Sequence, residues 1–280
     1  MHRPACRRGA RMASLPPESH PGAPARLILT MKTSVLLLLL LATALGSAAQ
    51  TPVEQATAAL KAGDLATADS LLSPLAAGEK PDPAVLQQLS LVRLRQNRAA
   101  EAVALAERAV KLAPDQAGAH ASLGQALSQR IGEVGFMQQA MIAGRMRKAF
   151  EKAAELDPQH LGALIGLSRY YTNAPEIAGG SPVKAREYAL RVHQLNPVLG
   201  ESELGNIAEK QEDFATALTH YEALAKLQAD HGRPHYLCGR MLVQLGRKDE
   251  ARTRFETALR HDPKLEAAQK ALAELTQPAS

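Results

Sequence analysis

Residues 235–263 read HYLCGRMLVQLGRKDEARTRFETALRHDP. Cys238-Gly239-x2-Leu242 marks one helix, Leu245-Gly246-Arg247 a tight turn, and Asp249 onward a second helix. In that second helix Ala251, Phe255 and Ala258 are spaced by four and then three, which puts them on one stripe. Pro263 follows five residues later and halts it, since its ring has no N–H and disfavours helical geometry just before it.

The same ending recurs upstream as Ala102-x3-Ala106-x2-Ala109-x4-Pro114, Phe150-x2-Ala153-x4-Pro158 and Ala185-x3-Ala189-x2-Val192-x4-Pro197. Ala68-x3-Leu72-x2-Leu75 and Ala217-x3-Tyr221-x2-Leu224 show the stripe without the proline. Leu123-Gly124-x2-Leu127 and Leu204-Gly205-x2-Ala208 repeat the first-helix signature. A mid-helix glycine costs about 1 kcal/mol relative to alanine. Three at equivalent places therefore predict a close approach of the partner helix.

These motifs resemble the tetratricopeptide repeat, a helix–turn–helix unit of about 34 residues with L-G-x2-Y in one helix and A-x3-F…P in the next. The aromatic residue near the start of the first helix is missing, and His235 stands in its place in the last unit. From Ser90 to Pro114 and from Gly239 to Pro263 the spacing is the same, whereas the third and fourth units carry insertions. The fold class expected is all-α: a right-handed α-α solenoid of about six such helix pairs with a C-terminal capping helix. The repeats fall approximately at 53–82, 83–114, 115–158, 159–197, 198–231 and 232–263, with 264–275 as the cap, so the solenoid covers 53–275.

Ahead of the solenoid, residues 31–49 (MKTSVLLLLLLATALGSAA) have the build of a signal peptide: Lys32, an apolar run from Val35 to Leu45, then Ser47-Ala48-Ala49. That run is too short for a hydrocarbon core of about 30 Å, so no permanent span is expected in the mature chain. Cleavage is expected after Ala49, and the expected address is the periplasm. A signal peptide works from the extreme N-terminus, which makes Met31 the expected start and residues 1–30 a disordered extension from a start codon placed too early. The net charge of +5 belongs to this leader. Residues 1–49 hold six basic residues against one acidic, leaving 27 of each in the body, with no electrostatic pull on nucleic acid.

Little in the body suggests chemistry. Two cysteines, Cys6 and Cys238, build neither a disulfide framework nor a four-thiolate metal site. His231 and His235 are four apart, yet Gly232 and Pro234 lie between them and no further ligand is near in sequence. Gly179-Gly180-Ser181-Pro182-Val183-Lys184 lacks the frame and the preceding strand of a phosphate loop. It reads instead as a turn, with Ser181 as N-cap and Pro182 in the first turn of a helix. No cofactor, metal or catalytic residue is expected, and the chain reads as a non-enzyme.

What remains is binding. The resemblance implies contacts on the concave face of the first helices, which here gives Gln125, Gln129, Arg169, Asn173, Asn206, Lys210, Arg240 and Gln244. Amides suit a peptide backbone and arginines a carboxylate. The insertions at 131–145 and 173–181 emerge on one edge, with Phe136, Met137 and Met141 on an apolar side of a helix that overhangs the solenoid. Either the two insertions cover each other, or this 131–181 edge is a patch for a partner or for a second copy. The expected function is a protein-interaction scaffold that holds a partner protein or peptide in the groove or on that edge. The alternative is a small-solute-binding accessory subunit of a transporter, which requires a deep, enclosed apolar pocket under the insertions.

Overall fold

In the computed structural model, residues 51–276 are described. The expectations for the leader (1–30 and 31–49) lie outside them. The described chain is helical, with no strand among its residues. Six antiparallel pairs follow one another: α1 (Pro52–Ala62) with α2 (Leu65–Ala77), α3 (Pro83–Arg95) with α4 (Ala99–Leu112), α5 (Ala117–Arg130) with α6 (Phe136–Leu156). Then come α7 (Leu161–Asn173) with α8 (Pro182–Leu195), α9 (Pro197–Lys210) with α10 (Phe214–Leu227), and α11 (Gly232–Gln244) with α12 (Lys248–His261). A last helix, α13 (Glu266–Thr276), packs on the sixth pair. This is the all-α solenoid that the repeat implied.

Local chemistry explains the boundaries. Thr51, Asp64, Asp82, Ser181, Asn196 and Asp213 cap helices by accepting a backbone N–H two or three residues on. Each second helix that is followed by a proline stops just short of it, and Pro197 opens the next helix at once. The four hairpins without insertions turn through one left-handed residue each, Gly63, Asn97, Glu212 and Gly246, and the longer α7–α8 connection has another at Gly179. The next amide closes a 6→1 bond behind each, such as Asp213 N–H to Ala208 O at 2.9 Å. The two hairpins with insertions use short 3-10 turns instead, Ile131–Glu133 and Glu176–Ala178.

The core is a series of clusters strung along the stack. Its stripe residues behave as the spacing predicts, with Ala102, Ala106, Ala109, Ala185, Ala189, Val192, Ala251 and Ala258 inaccessible to solvent. One stripe is corrected. Leu75 is 37% exposed, and the buried stripe of α2 runs Ala68, Leu72, Ala76 instead, a spacing of four and four.

The glycines have a more specific role than helix approach in general. A Cβ on Gly124 would lie 2.6 Å from the ring of Phe150; on Gly205, 2.4 Å from Tyr221; on Gly239, 2.4 Å from Phe255. In each case the second helix of the same hairpin lays an aromatic ring in the space the glycine leaves. Ser90 and Ser168 occupy the equivalent place in the second and fourth hairpins, where the second helix brings alanine (Ala106, Ala189) rather than a ring. Cys238 is fully buried beside Gly239, and burial pushes its thiol up to about 12, so it is an inert packing residue.

Candidate functional site: a charged groove across three first helices

The solenoid's first helices carry a cavity of about 400 Å³ spanning α7, α9 and α11. Helix α7 contributes Arg169, Thr172 and Asn173, and α11 contributes Arg240. Between them α9 supplies Glu203, Asn206, Glu209 and Lys210. Residues spaced by three and four share a helix face, which is why these four residues of α9 line one side.

Five of the eight sequence-predicted groove residues meet here: Arg169, Asn173, Asn206, Lys210 and Arg240. Gln125, Gln129 and Gln244 do not line this cavity. Gln125 and Gln244 are exposed elsewhere. Gln129 spends its amide nitrogen on Leu94 O at 3.0 Å and on Asn97 Oδ1 at 3.4 Å, tying α5 to the preceding hairpin.

Two glutamates that the sequence reading passed over govern the electrostatics. Glu203 is 2% exposed, and Arg169 answers it with two bonds to Oε1, from Nε at 2.9 Å and Nη2 at 2.6 Å. A buried carboxylate is costly unless it is paired and hydrogen-bonded, so this pair is an obligate one. The Arg169 side chain nevertheless stays 62% exposed, held by one edge with its other N–H groups open to the groove. Arg240 pairs with Glu209 Oε1, and Tyr221 donates its phenol proton to Glu209 Oε2 at 2.9 Å. The same phenol lies 2.9 Å from the Asn206 side-chain amide. Burial and the Glu209 charge push the Tyr221 hydroxyl well above its ordinary value, keeping it a neutral donor.

The expected groove of three cations is therefore corrected. Two of them are neutralised within the protein, and Lys210 alone among the three has no ion pair among the described residues. The signal existed in the sequence. Glu203 lies one turn before Asn206, the position equivalent to Arg169 in the next unit, and Glu209 lies one turn beyond it.

The overhang residues sit apart from the groove. Phe136 is 83% exposed, Met137 80% and Met141 67%, and Ile177 of the other insertion 99%. The insertions thus do not cover these side chains. His231 is the N-cap of α11 and His235 lies in its first turn, stacked on His261 at 5.4 Å between ring centroids. His235 Nε2 meets Ala229 O at 3.2 Å, and burial lowers its basicity.

Residues 88–130 and 208–275 each match a family model described as tetratricopeptide repeat. No curated protein matches the chain. Among solved structures, TTC0263, a thermophilic TPR protein of Thermus thermophilus, aligns with TM-score 0.54 at 18% identity, over 69% of this chain and 98% of that one. Acl4, the assembly chaperone of RpL4 (residues 1–338), aligns with TM-score 0.55 at 14% identity, over 80% and 94%. The C-terminal part of a TPR repeat-containing protein from Cytophaga hutchinsonii gives 0.52 at 15%, over 79% and 83%. At these identities the likeness is one of fold. Residues 88–130 and 208–275 thus match tetratricopeptide repeats, and the described helix pairs stack in the same fold as these structures.

Proposed function

We propose that this protein is a non-catalytic scaffold that holds an extended segment of a partner protein along the groove of α7, α9 and α11. The observation that carries this is the fixed Arg169 guanidinium beside Asn173, Asn206, Lys210 and Arg240 on three successive first helices. Asn173 donates to Arg169 O, and Asn206 Oδ1 lies against the Tyr221 hydroxyl. The Asn173 oxygen and the Asn206 nitrogen therefore offer an acceptor and a donor to an extended backbone, while the open edge of Arg169 and the unpaired Lys210 favour carbonyl or carboxylate oxygens. The Arg–Glu pairs keep the wall pre-organised, which lowers the ordering cost of binding. A cavity lined by charged and amide groups supports this reading over a small-solute subunit, which calls for an enclosed apolar pocket.

The signal-like stretch 31–49 supports an exported, periplasmic location in the same reading. Intact mass of the chain recovered from the periplasmic fraction tests it: a mature N-terminus near Gln50 is the expected result. For the groove, a photo-crosslinking residue placed at Thr172 should capture a partner in the native compartment. Capture should fall at least tenfold in Asn206→Ala/Lys210→Ala. Unchanged capture in that variant would move the contact off this face.

A further inference from the structure

Helix α6 is 21 residues long, against 14 in α4, α8, α10 and α12, so it runs about two turns, ~10 Å, past its counterparts. Its inward face carries Met146, Ala149, Phe150 and Ala153, all buried. At ~100° per residue the opposite face carries Met137, Ala140, Met141, Gly144 and Lys148. Met137 and Met141 are 80% and 67% exposed, with Phe136 beside them at 83%. A Cβ built on Gly144 would meet nothing within 4 Å, so the stripe has a shallow notch one turn beyond Met141.

We propose that a second copy of this chain covers the stripe. The two α6 helices pack antiparallel about a twofold axis passing between Ala140 and Met141. The stripe is complementary to itself in that register. Met137 of each copy lies against the Gly144 notch of the other, and the Ala140 and Met141 side chains of both copies meet around the axis. A glycine opposite a long flexible side chain lets the helices close to backbone distance, and methionine adapts to the space it finds. An isologous contact of this kind closes on itself and leaves no second patch open.

Size and charge favour this occupant. The three large side chains expose on the order of 400 Å² per copy, so two copies with their flanks reach about 1,000 Å², the lower bound for a specific interface. The expected dimer is reversible, in the micromolar range. A lipid surface would be drawn by clustered cations, but Arg145 is tied to Glu107 and Arg147 to Glu151. That leaves Lys148 as the unpaired cation of this face among the described residues. The groove lies on other helices, so the dimer stands or falls independently of the proposed peptide site.

Sedimentation velocity of the purified protein over a hundredfold concentration range tests the idea. A monomer–dimer equilibrium is expected, weakened at least tenfold by Met137→Glu/Met141→Glu with melting and far-UV dichroism unchanged, because both side chains are exposed. In a Cys6→Ser background, Met141→Cys should crosslink to its own copy on oxidation. Lys148→Cys should not, because the antiparallel register sets those residues roughly 20 Å apart. A monomer at every concentration, a dimer indifferent to the glutamates, or equal crosslinking at both positions would overturn the proposal. So would a monomer that co-sediments with phosphatidylglycerol vesicles, which would give the stripe to a lipid surface.

Discussion

The fifth and sixth hairpins lock by laying Tyr221 and Phe255 on Gly205 and Gly239, whereas the second and fourth close on Ser90–Ala106 and Ser168–Ala189. The pairings differ both in summed size, which is larger where a ring is present, and in its division between the two helices. Where the first helix gives up its side chain, the second brings a ring; where the first keeps a hydroxymethyl, the second keeps only a methyl. The two serines also differ from each other. Ser90 Oγ donates to Ala102 O at 3.0 Å across the hairpin, whereas Ser168 Oγ is buried with no hydrogen-bond partner. The packing rule of this solenoid is thus local to each hairpin, and polar satisfaction is a separate variable laid over it.

The largest effect should come from removing a ring. Phe255→Ala leaves a cavity opposite Gly239 and is expected to cost about 3–5 kcal/mol in urea denaturation. A loss under about 1 kcal/mol would mean that the ring is not the lock. Gly205→Ala approaches the same lock from the other helix. It gains about 1 kcal/mol of helix propensity yet drives a methyl into Tyr221, so a net destabilisation of about 1–2 kcal/mol is expected. Net stabilisation would show that the hairpin yields without strain.

A transplant sharpens the contrast. Ala106→Phe alone should overpack the second hairpin by about 1–3 kcal/mol, and Ser90→Gly in the same chain should recover part of that loss. Additivity of the two changes would dissolve the size rule. Between the serines, Ser90→Ala should lose about 1 kcal/mol with its hydrogen bond, whereas Ser168→Ala should be neutral or stabilising because it removes an unsatisfied buried hydroxyl. Equal losses would mean that Ser168 finds a partner in solution. A small effect is expected at the turns as well. Glu212 is left-handed at φ 59 where Gly63 and Gly246 serve the first and last hairpins, so Glu212→Gly should raise stability by about 0.5–1 kcal/mol. A loss would indicate that the Glu212 side chain holds the turn.

Much of this fold was readable from single residues. The four-then-three spacing of Ala251, Phe255 and Ala258, the prolines that close the second helices, and Ser181 ahead of Pro182 each name a local geometry without reference to the rest of the chain. The mid-helix glycines announced a close contact as well, though the spacing did not say that a ring would fill it. Site legibility was narrower. Arg169, Asn206 and Arg240 were found because groove positions recur at the repeat period. Their glutamate partners were missed because pairing from α7 to α9 and from α9 to α11 follows from how the helices stack, not from spacing within one helix.

By itself, then, the sequence determined hairpin count, helix ends and the phase of every stripe but that of α2, because backbone propensity and side-chain period act over a few residues. Tertiary structure alone decided which cations remain free, which glutamines are consumed as ties between hairpins, and that the start of α6 stands uncovered. Those outcomes turn on which side chains from helices 30 or more residues apart come within hydrogen-bond or van der Waals reach, and that distance is set by stacking, not by period.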